Sequence, residues 1–148
     1  MRASQPDLAS PLEIMHLVRI FYDRVSTDDL LGPVFARAVP DWTKHRQVLT
    51  AFWCQIELGI RGFRGSPVKQ HAALASVEPL TSDQFGRWVW LFCDTVDSAW
   101  RGPHAESIKL KATALAHAQA RAVPNACWNG ELNAQVRSVL EAPHHLRP

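Results

Sequence analysis

The stretch DWTKHRQVLTAFWCQIELG, residues 41–59, reads as one amphipathic helix with both ends marked. Asp41 suits the N-cap because its carboxylate can accept from an unpaired backbone N–H of the first turn, and Gly59 can take the left-handed conformation that closes a helix. Between them Trp42, His45, Leu49, Phe52, Trp53 and Ile56 recur at spacings of three and four, which makes one face apolar. A histidine interrupts that stripe. A buried imidazole must find partners for its ring nitrogens or meet a ligand, so His45 is a candidate functional residue, although a satisfied core histidine is the commoner case.

The same periodicity extends outward in both directions. Residues 1–9 are polar and aperiodic. SPLE at Ser10 to Glu13 then has the form of a capping box with Pro11 at the first helical position. Ile14, Met15, Val18, Phe21, Tyr22 and Val25 follow on one face, with Tyr22 on the buried side, and STDDLLGPVFARAVP predicts a short helix carrying Leu30, Leu31, Val34 and Phe35. On the C-terminal side, GIRGFRGSP reads as a loop leading to a short VKQHAAL turn that holds His71. TSDQ at Thr81 to Gln84 is a second capping-box pattern, opening a helix with Phe85, Trp88, Val89, Phe92, Val96 and Ala99 inward. Gly102 and Pro103 break the chain before a last alanine-rich helix that ends at Pro124. Four long helices with short ones between them, and no strand-like alternation, define an all-α class. The expected organisation is a polar lead over 1–10, one domain over 11–123 and a C-terminal tail over 124–148.

Composition narrows the function. A chain of 148 residues that is 47% hydrophobic and 20% charged can bury one core, and it has no apolar run long enough to span a bilayer and no secretory leader, so the expected location is the cytoplasm. A net charge of +2 without a block of like charges argues against nucleic-acid or lipid partners. Cys54, Cys93 and Cys127 are widely spaced and form no C-x-x-C pair; they are expected to be reduced and structural. There is no phosphate-binding loop, zinc helix or nucleophile elbow. The chemistry on offer is therefore that of histidines and aromatics. His16, His104, His144 and His145 are expected to be solvated and His117 to lie at a helix surface, while Trp42, Trp53, Trp90, Trp100 and Trp128 are read as packing residues.

Six strings bring the remaining candidates together: FYDRV at 21–25, LLGPVF at 30–35, DWTKH at 41–45, AFW at 51–53, GSPVKQH at 65–71 and FGRWVWLF at 85–92. In this order the chain resembles the group III truncated haemoglobins over residues 11–123. The resemblance implies a two-over-two helical sandwich around haem b, held noncovalently because C-x-x-C-H is absent. It implies that His71 ligates the iron, that Phe35 and Leu49 wall the haem pocket, and that Tyr22, His45 and Trp88 face the gas on the other side. Arg64 and Lys69 are candidates to meet the haem propionates. The segment from His71 to Trp88 is longer than usual for the family, with ASVEPL at 75–80 as the insertion, and the tail has no counterpart.

The function implied is reversible binding of O2, CO and NO at a five-coordinate iron, with high oxygen affinity and no residue assigned a catalytic role. Two alternatives share the same residues. One is a haem enzyme of peroxidase or nitric oxide dioxygenase type, in which His45 moves protons and Tyr22 or Trp88 orients a peroxide, with a reductase as a further partner. The other is a haem-free helical interaction module.

Overall fold

Ser10 begins the first helix as its sequence predicts: the Glu13 amide donates to Ser10 Oγ at 3.3 Å, and Pro11 occupies the first helical position. This helix, α1 (Pro11–Thr27), opens a computed structural model that describes residues 4–39, 41–63 and 82–122. It is followed by α2 (Gly32–Ala38), α3 (Trp42–Leu58), α4 (Ser82–Ala99) and α5 (Pro103–Ala122). Asp41 caps α3 by accepting from the Lys44 amide at 3.1 Å, and Gly59, with φ 71°, ends it in the left-handed conformation. Among the described residues all regular structure is helical.

Helix α1 packs on α3, and α4 packs on α5. The two pairs are joined chiefly where α1 lies on α4, and more lightly between α3 and α5. The core runs through that junction, with Ile14, Leu17, Val18, Phe21 and Val25 of α1 against Val89, Phe92 and Val96 of α4, and with Trp53 of α3 beneath them. The buried face of α5 is mainly small: Ala105, Ala112 and Ala116 flank Ile108, a composition that allows close helix approach. The result is a two-over-two sandwich of the truncated-globin type.

Two expectations about facing are corrected. Met15 is 47% exposed, and its place in the stripe belongs to Leu17, which is fully buried. Ile14, Leu17, Val18, Phe21, Tyr22 and Val25 form the i, i+3, i+4 series, and Met15 lies one helical step to its side. Ile56 is 40% exposed because the last turn of α3 meets α5 through Glu57, not through the Trp53 face.

The lead before α1 is packed into the bundle. Leu8 is fully buried in the core, Arg101 N–H donates to Pro6 O, and Asp7 caps α5 by accepting from His104 N at 3.0 Å and Ala105 N at 2.8 Å. Gly102 makes room for that carboxylate: its φ is 141°, and a Cβ there would lie 2.5 Å from Asp7 Cγ. Glu13, expected to complete its own capping box, instead accepts from the Trp100 indole at 2.6 Å. His104, expected to be solvated, has Nδ1 2.8 Å from Glu57 Oε2. Both corrections arise from partners that only tertiary packing supplies.

Candidate functional site

Tyr22 sits deep on α1, and three helices bring side chains to it. From α2, Phe35 places its ring 5.9 Å from that of Tyr22. From α3, His45 meets Tyr22 edge-on at 5.1 Å, and Trp42 lies 6.1 Å away. From α4, the Trp88 indole N–H comes within polar reach of the Tyr22 hydroxyl. Phe21 underpins the arrangement, edge-on to Tyr22 at 4.7 Å, to Trp88 at 5.5 Å and to Phe92 at 5.1 Å. Residues read from separate stripes and strings thus occupy one cluster.

Helical register explains the convergence. His45 lies one turn into α3, on the face turned toward α1, and Leu49 follows one turn later, half-buried against the core. Trp42 precedes His45 by three residues, and its ring stacks on Phe35 at 6.1 Å and 19°. The His45 imidazole is therefore bordered by the rings of Tyr22, Trp42 and Phe35, at 5.1, 5.8 and 6.3 Å, each near perpendicular to it. Trp42 was read from sequence as packing; its position after the α3 cap and three residues before His45 is the signal that ties it to the site.

Tyr22 and Trp88 are neutral donors in an apolar setting. Burial pushes the Tyr22 hydroxyl well above the ordinary tyrosine range, and the nearby Trp88 indole only partly offsets this, so the phenol keeps its proton. The described side chains whose rings meet Tyr22 are Phe21, Phe35, Trp42 and His45. The apolar side chains Phe35, Leu49, Phe63 and Trp88 pack on the core without being fully enclosed by the described residues. His71, Arg64 and Lys69 lie outside the described residues, as do Thr81, Cys127 and Trp128. Cys54 and Cys93 are free, and burial pushes the Cys93 thiol up to about 12, which leaves it inert.

A helical sandwich with an aromatic-walled cluster of polar side chains between its layers defines the class of shortened globins. No family model matches the chain. It is similar to the group 3 truncated haemoglobin ctb of Campylobacter jejuni, 32% identical over 88 residues that cover 57% of this chain and 67% of that protein. It is also similar to the group 1 truncated haemoglobin GlbN of Nostoc commune, 40% identical over 67 residues, or 45% of this chain and 55% of that protein. The crystal structure of the group III truncated haemoglobin from Campylobacter jejuni superposes with a TM-score of 0.69 at 27% identity, covering 78% of this chain and 92% of that one. The chain belongs to the group III truncated haemoglobins. No helix among the described residues is long and apolar enough to cross a membrane.

Proposed function

We propose that the chain binds haem b noncovalently through His71 and reversibly holds O2 and other diatomic gases at a five-coordinate iron, in a pocket formed by Tyr22, His45 and Trp88. The observation that carries this reading is the convergence of three hydrogen-bonding side chains, one from each of α1, α3 and α4, inside an aromatic wall. These residues fit the group. A flat, largely apolar macrocycle needs apolar walls, which Phe35, Leu49, Phe63 and Trp88 offer, and an iron already held by a porphyrin needs few further ligands from the protein.

Haem would supply an iron with one open coordination position at which a diatomic gas binds. The chain's own contribution is to hold that gas. The Trp88 indole can only donate and lies beside the Tyr22 oxygen, and what Tyr22 offers a ligand is its phenol proton, which burial retains at every physiological pH. A gas that takes on partial negative charge is stabilised by such a donor in surroundings poor in water, and it leaves more slowly. His45 offers a second ring-nitrogen contact, and its aromatic border restrains the imidazole. The rings of Phe35 and Trp42 exclude water.

Optical spectra of the purified chain in ferric, ferrous and CO-bound forms test the proposal. A Soret band that shifts on reduction and on CO addition, and that is lost or altered in His71→Ala, is expected. A folded chain that shows no Soret band and takes up no haemin on titration overturns it and favours the interaction module.

A further inference from the structure

Two polar ties join α1 to α4, and they differ in what they hold. In the first, Arg24 donates to Asp94 Oδ2 at 2.9 Å and to the buried Thr95 hydroxyl at 2.8 Å, well along α4 from the pocket. In the second, Asp28 receives Arg87 through Nε at 2.8 Å and Nη2 at 2.6 Å, both on Oδ1. Its other oxygen accepts from the Leu30 and Leu31 amides at 3.1 and 3.0 Å. The Asp28 side chain is 5% exposed, so this carboxylate is enclosed by its four contacts.

Each contact leads to a pocket residue. The Leu30 and Leu31 amides lie at the entry to α2, whose Gly32 amide also donates to Asp28 O at 2.8 Å. That corner is tight, since a Cβ on Gly32 would stand 2.9 Å from Ser26 O. Its geometry sets the direction of α2 and hence the place of Phe35, which bonds back to Leu31 O at 3.0 Å and rests on Tyr22 and Trp42. On the other side, Arg87 immediately precedes Trp88. Its guanidinium lies between the Asp28 carboxylate and the Trp90 ring, 4.7 Å from the ring centroid, which accounts for an indole left 42% exposed.

We propose that Asp28 and Arg87 are positioning residues of the pocket, one ion pair, two guanidinium nitrogens on a single carboxylate oxygen, setting both Phe35 and Trp88 against Tyr22; this rests on the reading of Tyr22 and Trp88 as pocket residues. Burial alone would raise the Asp28 carboxyl, but Arg87 and the two amides outweigh it and hold the group below the usual carboxylate range, so the tie is charged at neutral pH. A planar guanidinium held by two nitrogens on one side and stacked on the other transmits orientation to the next residue in a way a point charge does not.

The indole N–H resonance of Trp88 tests this directly. It is the one of six indole signals that vanishes in Trp88→Phe, and Tyr22→Phe shows where it moves when its acceptor is lost. The full chain is studied in the ferrous CO form if it carries haem and as purified if it does not, so failure of haem binding leaves this readout intact. Arg87→Gln is expected to move the resonance in the direction of Tyr22→Phe and to speed its exchange with solvent roughly three- to tenfold, the scale of one lost hydrogen bond. Arg87→Lys should give a smaller displacement, and Arg24→Gln should leave the resonance in place while lowering the melting temperature. Should Arg87→Gln not fold, Arg87→Lys decides alone. A resonance unmoved in the Arg87 variants, or moved as far by Arg24→Gln, overturns the proposal.

Discussion

The two ends of this bundle handle buried polarity in opposite ways. At the start of α5 carboxylates are met by donors: Glu57, with its side chain 3% exposed, faces the His104 ring at 2.8 Å and the Lys111 ammonium at 3.3 Å, while Asp7 collects the His104, Ala105 and Leu8 amides. Around Tyr22 the described polar groups are a phenol, an indole and an imidazole, set among aromatic rings. A carboxylate surrounded by cations and amides has its capacity used up internally, and it fastens one helix to another. Neutral donors cost less to desolvate and retain their protons, so they can serve a small neutral ligand. On the proposed function the α5 end serves stability and the Tyr22 end binding, and substitutions should separate the two.

The largest effect is expected at Tyr22. Tyr22→Phe removes one hydroxyl with little change in shape, and loss of its bond to a partly charged ligand should speed O2 release roughly 10- to 100-fold. Stopped-flow measurement of O2 release reads this, and a rate within about twofold of the parent would erase the proposed distinction between the ends. The second largest falls at the other end. Glu57→Ala leaves His104 and Lys111 without their carboxylate and should lower stability by about 2 kcal/mol in urea unfolding; the half-exposure of both side chains keeps the cost below that of a fully buried pair. Its O2 release rate should match the parent.

How much of this could be read in the chain depends on the range of the interaction. The helix starts at Ser10 and Asp41 and the stop at Gly59 were legible because cap and capped residue are a few positions apart. Tyr22, His45 and Trp88 were legible as inward positions, and the order of the six strings grouped them before any fold was known. Asp7 and Glu13 were not legible in their actual roles. Asp7 bonds to amides 97 and 98 residues away, and Glu13 to an indole 87 residues away, so nothing local distinguishes them from solvated acids. The Met15 and Ile56 facings failed for a related reason: a stripe fixes a helix face only to within one side chain, and the neighbouring helix chooses the edge.

Asp7 offers a smaller test of the stabilising end. Asp7→Ala removes the cap of α5 and should cost about 1 kcal/mol, seen as a lower urea midpoint. Because Asp7 gathers three amides, which outweigh the effect of burial and hold its carboxyl below the usual range, that contribution is present above the unfolded-state carboxylate value and fades as pH falls through the lower folded value. The parent and Asp7→Ala should therefore converge in stability at strongly acid pH. A gap that persists there would mean that the side chain acts through packing around Leu8.

The smallest effect is absent at neutral pH and appears only in alkali, and it returns to Tyr22. Burial holds the folded hydroxyl well above 10, the value it regains on unfolding. Below pH 10 both states carry the proton, and Tyr22 adds no pH dependence. Above it the unfolded chain releases the proton while the folded chain keeps it, so stability falls as pH rises, by at most about 1.4 kcal/mol per pH unit. Tyr22 is the single tyrosine of the chain, which makes the assignment unambiguous. Urea unfolding of the parent and Tyr22→Phe at pH 9, 10 and 11 should give a gap between them that changes in favour of the variant as pH rises, with phenolate absorbance growing only as the chain unfolds. If phenolate forms near pH 10 in a chain that is still folded, water reaches the hydroxyl freely, and the water-poor setting that would make Tyr22 an effective donor is absent.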